Sequence, residues 1–212
     1  MSDSLDIKPY TFDDDLIRAV LTDRSPHVKV YLPDEIAVVI GRGSKPGVEL
    51  HVEHCIEDGV PVYQRYGGGC AVVLDPGNVI VSVVLPTEGI SGNSGYFNKI
   101  SSWLIARLAD AGIPAVYQDG ISDLVVGGKK VGGSCIQRKR NYLYYSTTLL
   151  VNPRFDLIER YLQHPPREPN HRMGREHREF LAALPWPPSE NPALQLAGRL
   201  TQAALKETLA AL

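Results

Sequence analysis

The sequence predicts an α/β domain of the α+β kind, a mainly antiparallel sheet flanked by helices. Three observations carry this expectation. β-branched runs fill the middle of the chain, short glycine-bearing turns separate most of them, and apolar residues take helical spacing only near residue 97 and towards the two ends. With 212 residues, 43% apolar and 22% charged, the composition matches an average globular chain and excludes collagen, coiled coil and wholesale disorder. No composition break marks a linker, so residues 1–212 are expected to form a single domain.

An early helix is predicted over residues 13–21. Residues 35–40 (EIAVVI) and 60–65 (VPVYQR) read as short strands, each stopping at glycine, Gly41-Arg42-Gly43 after the first and Gly67-Gly68-Gly69 after the second. Residues 71–74 and 79–85 flank Asp75-Pro76-Gly77-Asn78, where proline presets φ and glycine accepts φ > 0, so a hairpin is expected. Over 97–111, Ile100, Trp103, Leu104 and Leu108 fall at i, i+3, i+4 and i+8, and Gly112 and Pro114 end the helix. Strands resume over 115–118, 122–126, 131–137 and 143–151, with turns at Gly127-Gly128 and at residues 138–141, which makes this half antiparallel. A helix over 156–162, a polar basic stretch over 164–178 and a closing helix carrying Leu205, Leu209 and Leu212 complete the chain.

Lys plus Arg number 22 against 24 Asp plus Glu, a formal charge of -2, so bulk electrostatics call for neither nucleic acid nor an anionic membrane surface. No apolar run approaches the roughly 18 residues of a membrane span, and the acidic start lacks a basic segment before an apolar one. Cys55, Cys70 and Cys135 form neither an even set nor a CxxC pair, which suits a reducing compartment; a cytoplasmic location is the expectation.

Chemistry concentrates in two stretches. In Arg65-Tyr66-Gly67-Gly68-Gly69-Cys70, three glycines between strands expose backbone N–H groups that suit a phosphate or carboxylate, with Arg65 at the edge; a ligand-free turn is the alternative. In residues 122–134 (SDLVVGGKKVGGS), lysines follow a tight turn and precede further glycines. No neighbouring side chain then blocks an anion's approach to the amine, although a solvated hairpin tip has the same pattern.

Together these stretches resemble the lipoate–protein ligases. VVIGR, an arginine with a GGG loop, a D-x-G-N segment at Asp75 to Asn78 and D-L-V-V-x-G-x-K-V-x-G-S before a Thr-rich strand occur in the family's order from about Val38 to Leu150, roughly half the chain. The resemblance implies a fold shared with biotin–protein ligases and octanoyl transferases, and a two-step reaction. Lipoate or octanoate attacks the α-phosphate of ATP, giving an acyl adenylate and pyrophosphate, and a carrier lysine then displaces AMP. It implies Lys130 as the catalytic residue between phosphate and acyl oxygen. Around the adenylate it places Arg65, Gly67, Gly68, Gly69, Cys70, Asp123, Gly133, Ser134, Cys135 and Thr147, with Asp123 also near Mg²⁺. The implied partner is a lipoyl-carrier protein or domain of glycine-cleavage H or dehydrogenase E2 type. The accessory C-terminal domain of larger ligases is not expected in this chain, which resembles short forms that act without it or with an accessory subunit, some beside carriers of bacterial sulfur oxidation.

The chain departs from the family pattern at Tyr66, Gly67 and Cys70 in the glycine loop, at Leu74 where histidine is frequent, at Cys135 where alanine is usual, and at Tyr144-Tyr145 where His-His is common. The resemblance implies that these changes line the acyl pocket. They leave open an octanoyl transferase using a Cys70 or Cys135 thiolate, and a non-catalytic carrier-binding subunit. On a helix the segment HVEHC would put His51 and His54, or His51 and Cys55, on one face, but a structural zinc wants four ligands, and a solvated helix face is the better account. Arg167, Arg172, Arg175 and Arg178 in the basic stretch suit docking of an acidic carrier or closure over an adenylate; a solvated face balanced by Glu168, Glu176 and Glu179 fits equally. The glycine- and arginine-rich biotin loop is absent.

Overall fold

The computed structural model describes residues 5–89, 92–187 and 191–210. The strands are β1 (Ile7–Pro9), β2 (His27–Tyr31), β3 (Ala37–Ile40), β4 (Val62–Gln64), β5 (Val72–Leu74), β6 (Asn78–Pro86), β7 (Tyr117–Asp119), β8 (Asp123–Val126), β9 (Lys129–Arg138) and β10 (Tyr142–Leu150). The helices are α1 (Asp14–Asp23), α2 (Pro46–Glu49), α3 (Val52–Glu57), α4 (Asn93–Asp110), α5 (Phe155–Tyr161), α6 (His177–Phe180), α7 (Pro192–Arg199) and α8 (Gln202–Ala210). Leu212 of the expected closing helix lies outside the described residues, and Leu205 is buried.

The strands form two sheets rather than the single sheet expected. Six of them, in the order β2-β6-β10-β9-β8-β7, make an entirely antiparallel sheet. The other four, in the order β1-β4-β3-β5, pair β4 parallel to both β1 and β3, with β5 antiparallel to β3. The anticipated hairpin over 71–74 and 79–85 does not form: β5 joins the small sheet and β6 the large one. The turn between them is tied elsewhere. Asp75 Oδ1 accepts from Gly77 N (2.6 Å), Asp75 Oδ2 from Arg154 N (3.2 Å), and Gly77 O from Asn152 N (2.7 Å), so Pro-Gly turn chemistry builds a corner. β2 and β1 were not expected, because HVKVY and IKP carry no flanking glycine signal.

β6 is buried along nearly its whole length, and period 2 divides its side chains. Val79, Val81, Val83 and Leu85 face the main core with α4, α7 and α8; Ile80 packs with Tyr10, Val39 and Leu74 of the small sheet, and Val84 with α1. A further core seats α3 and α5 on the small sheet through Cys55, Val62, Leu157 and Ile158. Among the described residues, no helix is long and apolar enough to cross a membrane.

A β-bulge interrupts the pairing of β8 with β9. Leu124 pairs with Gly132 and Val125 with Lys130, so Val131 is an extra residue on β9. Strict alternation would put Lys130 and Gly133, three apart, on opposite faces. With the bulge they share one: a Cβ on Gly133 would lie 2.8 Å from Lys130 Nζ. Gly127 (φ 57°) and Gly128 (φ 74°) close the β8–β9 hairpin in the left-handed conformation that two-residue turns require.

Candidate acyl-adenylate site

The two sheets enclose a cavity of about 680 Å³. Its apolar lining includes Val39, Leu74, Ile80, Tyr144 and Leu150, and its charged lining Arg65, Asp119, Asp123, Lys130, Arg167, Glu168, His171 and Arg172.

Lys130 Nζ pairs with Asp123 Oδ1 at 2.8 Å, and the Asp123 side chain is 7% exposed. The bulge and the missing Cβ of Gly133 allow this meeting. Asp123 Oδ2 lies 3.2 Å from His171 Nε2 without hydrogen-bond geometry, His171 Nδ1 lies 3.5 Å from Asp119 Oδ1, and the imidazole packs on Phe180 at a 41° tilt with centroids 5.3 Å apart. The sequence does not single out His171, and it gives Arg172 only a docking or closing role. Both reach the cavity on a strap, residues 163–176, that crosses between α5 and α6. Arg172 is 4% exposed, packs its guanidinium 4.9 Å over Phe180, and leaves Nη2 buried with no hydrogen-bond partner. Burial, its main perturbation, pulls the Arg172 pKa down from its ordinary value. The polar richness of residues 164–178 was the available signal; which side chains turn inward depends on the strap's path.

Arg65 spends its donors on main chain. Nε and Nη2 donate to Gly68 O (3.1 and 2.8 Å), Nη2 also to Cys70 O (2.8 Å), and Nη1 to Val39 O (3.1 Å). It shapes the glycine loop from within while still lining the cavity. Gly69 (φ 95°) lines the cavity, Gly67 packs so closely on Cys135 that a Cβ would lie 2.7 Å from Sγ, and Gly68 contributes its carbonyl to Arg65. Gly133 and Cys135 face the cavity. Ser134 offers backbone there, its hydroxyl pointing away to Tyr145 OH (2.7 Å) and Thr147 Oγ1 (3.0 Å). Thr147, expected around the adenylate, takes the opposite face of β10, and period 2 brings Ser146 and Thr148 to the cavity.

The cysteines differ. Burial pushes the Cys135 thiol pKa up, countered only in part by Arg65. Cys70 Sγ donates to Arg167 O at 3.5 Å, tying the glycine loop to the strap. Cys55 is buried in the α3 core and its pKa is pushed up to about 11 by burial, while His54 Nδ1 bonds Arg160 O (2.9 Å).

The strap's neck is closed by His177, whose Nε2 lies 3.1 Å from Gln163 O. Burial, the largest cause, with smaller contributions from Arg172 and His164, holds its pKa below 6.5, against the opposing hydrogen bond to Gln163 O and a smaller pull from Glu176. A depressed histidine pKa means the folded state resists protonation: its stability contribution is full above pH 6.5 and is lost as pH falls towards the folded pKa. Melting temperature is therefore expected to drop on acidification through this window, and His177→Gln should flatten that part of the curve; an identical slope in the variant would refute the assignment.

The fold is an α/β domain whose cavity joins an apolar wall to Lys130, paired with Asp123, and to Arg172. The chain belongs to the lipoyl protein ligase A/B catalytic domain family, whose sequence model matches residues 8–184. A lipoate–protein ligase of Streptococcus pyogenes is 31% identical over 126 residues, 59% of this chain and 36% of that relative; the chain thus spans little more than a third of its length. The fold matches a bi-partite lipoate protein ligase of Thermoplasma acidophilum, described with its E2 lipoyl domain (TM-score 0.75, 20% identity, 97% of this chain and 82% of that one). It also matches a lipoate-protein ligase A bound with ATP (TM-score 0.75, 18% identity, 96% of this chain and 85% of that one).

Proposed function

We propose that this domain is an ATP-dependent lipoate–protein ligase that activates lipoate or octanoate as the acyl adenylate and passes it to a lysine of a lipoyl-carrier domain. The observation that carries the reading is the Lys130–Asp123 pair at 2.8 Å on a wall kept bare by Gly133. Attack of a carboxylate on the α-phosphate gathers negative charge there, and a fixed ammonium gains most where charge develops. Arg172 Nη2, buried without a partner at the same cavity, offers a second donor. The apolar lining suits an aliphatic acyl chain.

Asp123 Oδ2, buried and without a hydrogen-bond partner, fits a cation that brings most of its other ligands as phosphate and water. Mg²⁺ held there would offset pyrophosphate charge. No side-chain nucleophile is needed, because the adenylate is already activated and the carrier amine attacks it. A thioester route through Cys135 runs against its raised pKa, since the thiolate is the reactive form.

The test is the intact mass of a lipoyl domain incubated with this protein and lipoate or octanoate, with and without ATP and Mg²⁺. A gain of one acyl group only with ATP is expected. No gain from free acid, but transfer from an acyl carrier protein without ATP, would overturn the reading in favour of a cysteine transferase.

A further inference from the structure

Of the most exposed large apolar side chains among the described residues, Ile121 lines the charged end of the cavity and Met173 follows Arg172, which also lines it. Ile121 is 73% exposed and lines the cavity between β7 and β8; Met173 is 75% exposed on the strap. Their loops touch, since a Cβ on Gly120 would lie 3.8 Å from both His171 and Pro169. Met173 has φ 52°, and among the described residues Arg24 is the other non-glycine at positive φ. An unbranched apolar residue in the left-handed region, turned to solvent, gains neither burial nor an unstrained backbone, and such outliers gather where a partner or ligand is met. The strap holds the conformation: Gly174 N donates to Glu168 Oε1 (3.0 Å), and Arg175 donates to Arg172 O (3.0 Å), His171 O (2.7 Å) and Gly128 O (3.2 Å). That last bond joins the strap to the hairpin tip beside Lys129. Lys129, next to Gly128 at that tip, and Arg167 on the strap are exposed and make no ion pair among the described residues, whereas the carboxylates of the same rim are paired, Asp119 with His171 and Glu168 with His164 and Arg172.

We propose that Ile121 and Met173 form the docking contact for the acyl-accepting carrier, a proposal that rests on the ligase reading. The partner this rim fits is a small acidic domain presenting its lysine on an exposed turn, with an apolar spot beside the lysine and carboxylates around it. The apolar pair seats the turn, Lys129 and Arg167 meet the carboxylates, and the amine enters towards Lys130 and Asp123. Methionine, unbranched and polarisable, suits such a contact because it adapts to the surface it meets.

The experiment compares wild type, Met173→Ser and the Ile121→Ser/Met173→Ser double variant in two assays: pyrophosphate release from lipoate and ATP without carrier, and acyl transfer as a function of carrier concentration. Met173→Ser is expected to leave carrier-free pyrophosphate release unchanged. The double variant should raise KM for the carrier about fivefold or more, as loss of a central contact does. Lys129→Glu should weaken the carrier interaction and reduce its dependence on salt. A carrier KM within twofold of wild type in the double variant, with melting temperature retained, would overturn the docking site. Wild type that binds the carrier through this rim, yet releases no pyrophosphate and transfers no acyl group, would instead sink the ligase reading.

Discussion

Replacing Lys130 with alanine is expected to lower pyrophosphate release and carrier acylation by about 10²- to 10³-fold, the usual consequence of removing one preorganised donor from a charge-developing site. Two effects combine. The ammonium that would meet the α-phosphate is gone, and the Asp123 carboxylate, 7% exposed and 2.8 Å from that ammonium, is left without its cation where an anion must bind. Folding should be preserved, because Lys130's main-chain bond to Ala182 N (2.9 Å) does not depend on the side chain. Pyrophosphate release, intact mass of the carrier and a melting curve on the same preparation check this; activity within threefold of wild type would refute the mechanism.

Gly41→Ala is expected to cost about 3 kcal/mol or more of stability, close to the upper end for overpacking, and about 10 °C in melting temperature for a chain of this size. A Cβ there would lie 2.0 Å from Gly69 O and 3.1 Å from Gly69 C, which are backbone atoms that cannot rotate away. Relief requires moving the 65–70 loop and breaking the Arg65 bonds to Gly68 O, Cys70 O and Val39 O. Gly43→Ala, where a Cβ would meet nothing within 4 Å, is the control and should be near neutral. Thermal unfolding of the pair separates close approach from a general cost of losing glycine.

Much of the site was legible because its residues are local in sequence. The short Gly127-Gly128 turn carries Asp123 and Lys130 to one cavity on adjacent strands, whereas Arg65 follows β4, whose parallel partners β1 and β3 are remote in sequence, and the motif order brings it to the same cavity only through the fold. What each does there was less legible. Arg65, expected beside an anion, is engaged by backbone carbonyls of its own loop, because a folded glycine turn leaves carbonyls facing inward that need donors. Thr147 fell on the far face of β10 because strand faces follow from register against β9, which composition does not encode. His171 and Arg172 are remote in sequence from Asp123 and meet its cavity only because the strap folds back.

Sequence alone determined the α+β class and the antiparallel β8–β9–β10 segment, since period-2 and helical spacing and glycine turns act over a few residues each, and its motifs pointed to Lys130 for the proposed site. Tertiary structure decided the division into two sheets, the use of the Asp75–Pro76–Gly77–Asn78 turn as a corner and the bulge that brings Lys130 onto the face of Gly133. These outcomes depend on which strands compete for the same edge and on how a distant strap is anchored, and such energies arise only when remote segments pack together.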